Sequence, residues 1–251
     1  MRIIDENIFR IVSRSSAKDG SPETFVLEKH LHQIWEPAPD DDDPEITGRI
    51  DSAVNSLLID NVRAERISVE VRDTNNISVY SDEISLKHYD KFNGYGYKKR
   101  FWTDFPEQNA GTISVRLVKG KVTNPCIGMI FAGRTLFPFK DPDYPFSESP
   151  ANSSNYWELD GGYVETDDGN IVRILSVSIK IINDREQYYA LTDRLNLIKS
   201  KPCAWLLIDS ADESQRFRYA VYGLIPPKSP PKYSINKHST GVVQFTLREC
   251  I

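Results

Sequence analysis

The stretch Arg66-Ile67-Ser68-Val69-Glu70-Val71-Arg72 alternates apolar and polar residues with a period of two, the pattern of a strand buried on one face and solvated on the other. Asp73-Thr74-Asn75-Asn76 supplies turn-forming side chains, and Ile77-Ser78-Val79-Tyr80 returns, so the segment reads as a hairpin. Working outward, Thr112-Ile113-Ser114-Val115-Arg116-Leu117-Val118 repeats the alternation before the turn residues Lys119-Gly120-Lys121. Ile127-Gly128-Met129-Ile130-Phe131 is a short apolar run, ending at Ala132-Gly133, that suits a strand buried on both faces. Together these strands are the signature of an antiparallel sandwich.

In the second half, Leu175, Val177, Ile179 and Ile181 alternate with Ser176, Ser178 and Lys180. The period then changes. Asn183 or Asp184 caps a helix on whose single face Tyr188, Leu191, Leu195 and Ile198 fall, and Pro202 stops it. Trp205-Leu206-Leu207-Ile208 reads as a buried strand. Phe217, Tyr219, Val221 and Gly223, and later Val243, Phe245 and Leu247, read as alternating strands. The expected fold is mainly β, with two β-sandwich domains, the C-terminal one carrying a single packed α-helix.

The expected boundaries follow composition. Residues 1–50 form an N-terminal segment with an acidic loop, with the sheet of the C-terminal domain as a candidate home for it. Residues 51–140 make the first sandwich, 141–155 a linker rich in Pro, Asp, Ser and Asn, and 156–251 the second sandwich.

The 251 residues carry a net charge of -5 with acids and bases interspersed. No basic run is long enough to neutralise a row of phosphates, so nucleic acid is not an expected partner. No segment approaches the roughly 20 apolar residues of a membrane span, and the start lacks a secretory pattern, so synthesis in a cytoplasm-like compartment without membrane insertion is expected. Cys126, Cys203 and Cys250 read as free thiols, their odd count and wide spacing fitting neither a disulfide framework nor a zinc ribbon. The run Asp40 to Asp43 lies between Pro39 and Pro44 and reads as a solvated loop, since it lacks the alternation and the glycine of a calcium loop.

No catalytic constellation is expected, nor any metal or cofactor. Only His30, His32, His88 and His238 are available as bases, and no Gly-x-Ser-x-Gly elbow occurs. His30 and His32 form one His-x-His pair with no second pair to complete a metal set. Gly94-x-Gly96 and Gly161-Gly162 read as turns, lacking the strand-to-helix context of a phosphate loop. Glu158, Asp160 and Glu165, near Tyr156, Trp157 and Tyr163, are the weakest alternative, a glycoside-hydrolase carboxylate pair. The aromatic run is more informative. Tyr89, Phe92, Tyr95, Tyr97 and Trp102, continued by Phe101 and Phe105, are candidates for a carbohydrate platform or a subunit interface. Core and interface roles outweigh sugar binding on residue type alone.

Two stretches resemble a known group. Ile84-Ser85-Leu86, Tyr89-Asp90-Lys91-Phe92, Tyr97-Lys98-Lys99-Arg100, Phe101-Trp102-Thr103-Asp104-Phe105-Pro106, Ile113-Ser114-Val115 and Cys126-Ile127-Gly128-x-Ile130-x-x-Gly133-Arg134 look like a domain of tailed-bacteriophage virion proteins. That resemblance implies a jelly-roll sandwich similar to carbohydrate-binding modules. Val172-Arg173 and Ser176-Val177-Ser178, through the helix to Lys201-Pro202-Cys203-Ala204-Trp205 and Phe245, resemble the minor tail protein M and distal tail protein group. The resemblance covers roughly residues 51–250; residues 1–50 match nothing in it, and Pro226-Pro227-Lys228-Ser229-Pro230-Pro231 departs from it. It implies a structural, non-enzymatic part of a tail tip or baseplate in the virion tail. Such a part self-assembles as a trimeric or hexameric ring and contacts tail tube, hub or tip proteins. Arg185, Arg194, Arg216 and Arg218 are candidates to line such contacts. The alternative partner is a host-surface glycan.

Overall fold

Strands β1 (Arg2–Ile4), β2 (Arg10–Arg14), β3 (Glu45–Ile50), β4 (Val54–Asp60), β5 (Arg66–Arg72), β6 (Ser78–Ser85), β7 (Arg100–Gln108), β8 (Gly111–Val118) and β9 (Met129–Gly133) follow one another with no α-helix between them among the described residues. The computed structural model describes all residues except 28–33, 87–99, 119, 136–138, 144–146, 153–154, 160–162, 168–170, 211–212, 236–239 and 251. The chain divides into two units: Met1–Pro138 with Cys203–Val221, and Phe139–Pro202 with Tyr222–Ile251.

The first unit holds a five-stranded antiparallel sheet in the order β2-β3-β8-β5-β6 and a three-stranded one in the order β7-β4-β9. Alternation decides which side of the larger sheet is buried. Ile46, Ile67, Val69, Val71, Ile113, Val115 and Leu117 are all within 1% of full burial, while their strand neighbours are half-buried or exposed. Burying one such side chain contributes roughly 1.5–3 kcal/mol. The smaller sheet is closed on both faces, so Leu57, Leu58 and Ile59 are buried in succession. The two sheets meet where the Tyr80 hydroxyl bonds Thr103 and its ring lies 5.7 Å from that of Phe105. At the β5–β6 turn, Asp73 Oδ1 accepts from the Asn75 and Ile77 amides at 2.8 and 2.9 Å.

Three features of this unit correct the sequence reading. Residues 1–50 do not stand apart: β1 pairs with β14 (Cys203–Leu206), a strand expected in the C-terminal domain, as the sequence reading allowed. Strands β2 and β3 extend the larger sheet, and the Asn7 side chain bonds both Ile130 O (2.8 Å) and Ala132 N (3.0 Å), taking the place of a strand along β9. Residues from 203 to 221 belong here and not with the second unit, because β14 (Cys203–Leu206) pairs with β1 in the register Ile3↔Trp205. Phe217 is not on a strand. It sits on a short helix, here α2 (Glu213–Arg218), with its buried ring 5.5 Å from Phe101, and the strand begins only afterwards, as β15 (Ala220–Leu224). Arg216-Phe217-Arg218 shows one apolar residue between two cations, a pattern equally compatible with a helical turn at an edge.

The second unit contains β10 (Ser147–Asn152), a hairpin of β11 (Asn155–Leu159) and β12 (Tyr163–Asp167), the long β13 (Ile171–Ile182), α1 (Arg185–Ile198), β16 (Lys232–Ile235) and β17 (Thr240–Glu249). Strand β10 lies within the expected linker and pairs with β13, so that stretch is part of the sheet. Strand β17 pairs with β13 on one edge, and on the other with β16 and, through Gly223 and Leu224, with the end of β15. One sheet face, with Leu175, Val177, Ile179, Ile181, Val243, Phe245 and Leu247, is buried, and α1 packs against β13 and β17 with Tyr188, Leu191, Leu195 and Ile198 buried. Asp184 caps the helix by accepting from the Gln187 amide at 2.8 Å. Gly241 is required here, since a Cβ would stand 2.2 Å from Tyr188 Cδ2.

Candidate functional site

Of the sequence-predicted residues, Tyr89, Phe92, Tyr95 and Tyr97 lie outside the described residues, as do His30, His32, His88, His238 and Asp160. The side chains of Trp157, Glu158 and Glu165 also fall outside the description, although the hairpin register sets Trp157 opposite Glu165 and Glu158 opposite Val164. Trp102 is placed, and of the roles left open it takes the core one, not the platform or the interface. Its side chain is 1% exposed, and its indole Nε1 donates to Asp104 Oδ1 at 3.1 Å. Phe101 and Phe105 are buried beside it. A strand covered on both faces puts consecutive aromatics into the core, so the ring of Trp102 is open to neither a sugar nor a subunit.

Asp104 is the centre of a charge cluster that also places Arg216. It pairs with Arg2 at 3.3 Å and with Arg216, and accepts from Ser56 Oγ at 2.7 Å. Asp209 closes the ring, 2.9 Å from Arg2 and 3.5 Å from Arg216. Arg216 is thus committed inside its own unit, and the expectation that it lines a subunit contact is corrected.

The three-stranded sheet ends where β4 stops at Asp60, β7 starts at Arg100 and β9 starts at Met129, three residues in register. Asp60 is 1% exposed. Its Oδ1 accepts from Arg100 Nε at 3.0 Å and from the Asn61 amide at 2.7 Å. Its Oδ2 is buried with no hydrogen-bond partner among the described residues. Asn61 adopts a left-handed φ of 52°, and Gly128 passes so close that a Cβ there would lie 2.7 Å from Asn61 Cβ. Arg63 borders this end, its Nε donating to Asn124 O at 2.8 Å. Cys126 lies behind it, and burial pushes its thiol pKa up. The chain leaves the larger sheet after β6, the Leu86 amide bonding Glu65 O at 2.9 Å, and enters the smaller sheet at Arg100. The intervening residues contain Tyr89, Phe92, Tyr95 and Tyr97. Sequence reading missed Asp60 and Arg100. The available signal was an acid closing the apolar run Leu57-Leu58-Ile59 and a cation closing the aromatic run.

A second concavity belongs to the second unit. Ser176 and Ser178 of β13 stand in register with Thr246 and Gln244 of β17, and Lys232 of β16 with Gln244. Paired residues share a sheet face. These side chains, with Lys228, Ser229 and Pro230 of the proline-rich loop as a wall, line a groove of about 420 Å³. Among the described residues, no three His, Cys, Asp or Glu side chains are grouped to hold a metal ion, and no helix is long and apolar enough to cross a membrane.

No family model matches the chain, and no curated protein matches it. Among solved structures, a mutant of the lectin-binding domain of lectinolysin complexed with Lewis b is 17% identical, with a TM-score of 0.41 over 53% of this chain and 98% of that one. A Streptococcus pneumoniae fucose-binding module is 17% identical, with a TM-score of 0.38 over 52% of this chain and 98% of that one. CBM32-3 from a family 31 glycoside hydrolase of Clostridium perfringens is 17% identical, with a TM-score of 0.41 over 53% of this chain and 95% of that one.

Proposed function

We propose that this chain is a non-catalytic glycan-binding protein, with its site at the end of the first unit's sandwich marked by Asp60 and Arg100. The observation that carries the reading is the Arg100 guanidinium, 16% exposed at this end and held by the buried Asp60 carboxylate at 3.0 Å. A guanidinium so fixed donates to sugar hydroxyls, and aromatic faces stack on the C–H faces of the ring. Tyr89, Phe92, Tyr95 and Tyr97, between Leu86 and Arg100 in the sequence, are the aromatics proposed for that stacking. Glycan-array screening of the full chain, followed by calorimetry, tests this. The Tyr95→Ala/Tyr97→Ala double variant and Asp60→Asn should each abolish the array signal, with the melting temperature of the tyrosine variant unchanged. An array without hits, or hits insensitive to both variants, would overturn the reading.

A second reading, assembly as a tail-tip part, is favoured by exposed apolar side chains on the second unit. Leu197 is 75% and Tyr189 53% exposed on α1, and Ile235 is 45% exposed on β16. Side chains of this kind become a subunit contact where they are covered together by a second copy. Light scattering at rising concentration tests it: a closed ring gives a discrete trimer or hexamer mass that Leu197→Glu abolishes, and a monomer throughout removes the reading.

A further inference from the structure

We propose that the groove of the second unit is a separate binding site for an acidic saccharide, one whose sugars carry carboxylate, sulfate or phosphate groups. The inference stands on the geometry of this unit alone and does not depend on the Asp60 site.

The starting point is strand parity. In β13 and β17, Leu175, Val177, Phe245 and Leu247 are buried on one face, so Ser176, Ser178, Lys180, Gln244, Thr246 and Arg248 project from the other. Lys232 joins that face through its register with Gln244, and Lys228 reaches the groove from the loop. The strand acids of the sheet point the other way. Glu148 and Glu249 are both paired with Arg173, at 3.6 and 3.1 Å, and Glu249 is buried. Among the described residues, the outward strand face therefore carries charge of one sign, in a protein whose net charge is -5. Among the described residues, Lys180, Lys228, Lys232 and Arg248 form no salt bridge. Asp143 lies alongside β13, its amide bonding Ser178 O at 2.7 Å, and its carboxylate is paired with Lys140 at 3.4 Å. Cations left without carboxylate partners around a concave surface focus the field on an incoming anion.

The lining settles the class of anion. Ser176, Ser178, Ser229 and Thr246 offer hydroxyls and Gln244 an amide, most of them on paired strands that hold them at fixed spacing. Hydroxyl and amide groups at strand spacing match the closely spaced hydroxyls of a sugar, and the two lysines match its acid group. About 420 Å³ falls within the usual range of small-ligand sites. Phe245 is the one aromatic in the lining and is 4% exposed, so the groove presents no ring on which a nucleobase would stack.

The test is calorimetry on the full chain with a hexamer of galacturonic acid, a neutral cello-hexamer, a hexamer of deoxythymidylate and a poly-glutamate peptide, each at low and at physiological salt. The expected result is binding of the uronate alone, weakened by salt. Lys228→Gln/Lys232→Gln should reduce the affinity by roughly tenfold or more, and Lys228→Arg/Lys232→Arg should retain it. Both variants should keep the wild-type melting temperature. Equal binding of the neutral hexamer would overturn the acidic class, and equal binding of the nucleotide or the peptide would overturn the saccharide. Uronate binding lost in Tyr95→Ala/Tyr97→Ala but kept in the lysine variant would place the ligand at the first unit's site and remove this one. Absence of uronate binding removes it outright.

Discussion

In the first unit Arg116 sits 3.1 Å from Glu45 and Arg134 2.7 Å from Glu107, and Arg2 and Arg216 are gathered around Asp104 and Asp209. On the outward sheet face of the second unit, Lys180, Lys228, Lys232 and Arg248 form no such pair among the described residues. Both regions are antiparallel sheets, yet one uses its cations to tie strands and segments together, and the other leaves them facing solvent. Exposed pairs contribute little to stability, roughly 0–1 kcal/mol each. The informative difference therefore lies in the partly buried cluster at Asp104 on one side and in the unneutralised field on the other. The first is architecture, and the second is available for a ligand.

Substitutions that break or sharpen this contrast can be ordered by size. Trp102→Ala should cost the most, about 3–5 kcal/mol, read as a lowered denaturant midpoint; a loss below about 1 kcal/mol would put the ring back on the surface. Asp104→Ala should cost about 2–3 kcal/mol, because it leaves the buried Trp102 Nε1 and Ser56 Oγ without this acceptor and Asp209 alone to pair Arg2 and Arg216 within the cluster. Added salt that reproduced that loss in the wild type would show the cluster to be a solvated one. In the second unit, Asp184→Ala removes the helix cap and should cost about 1 kcal/mol by the same measurement. Burial raises the Cys250 thiol pKa to about 11. The folded state then holds its proton after the unfolded chain has lost it, so stability should fall as pH rises from about 9 to about 11, and Cys250→Ser should flatten that limb of the profile. Smallest of all, Lys228→Gln and Lys232→Gln should change stability by no more than about 0.5 kcal/mol. A larger loss would mean that these cations hold the unit together, and the contrast would fail.

What the sequence discloses follows from burial. Where one face is wet, as in residues 66–72, 112–118 and 175–181, alternation identifies the strand. The helix was equally legible, because Tyr188, Leu191, Leu195 and Ile198 keep its period and Asp184 caps it. Where both faces are covered the signal vanishes. Phe101-Trp102 reads equally as core, interface or sugar platform, and only the structure shows that both rings are buried. The first fifty residues were opaque because β2 is an edge strand, mostly exposed, with no apolar stripe to betray it. Most of the site was hidden for another reason. Ser176, Ser178, Gln244 and Thr246 are individually ordinary outward residues, and only the pairing of β13 with β17 and the return of the proline-rich loop bring them around one groove. Asp60 becomes noticeable only once its burial is known.

The pairing of Ile3 with Trp205 joins positions about two hundred residues apart. At translation speeds of about 5–20 residues per second, nascent β1 waits roughly 10–40 s for its partner to emerge from the ribosome. During that interval β1 has no strand to lie against, and an unpaired apolar edge invites pairing with a neighbouring nascent chain. Expression of Met1–Pro138 alone would make that interval permanent, so supplying Cys203–Val221 as a separate fragment should restore solubility to the truncated product.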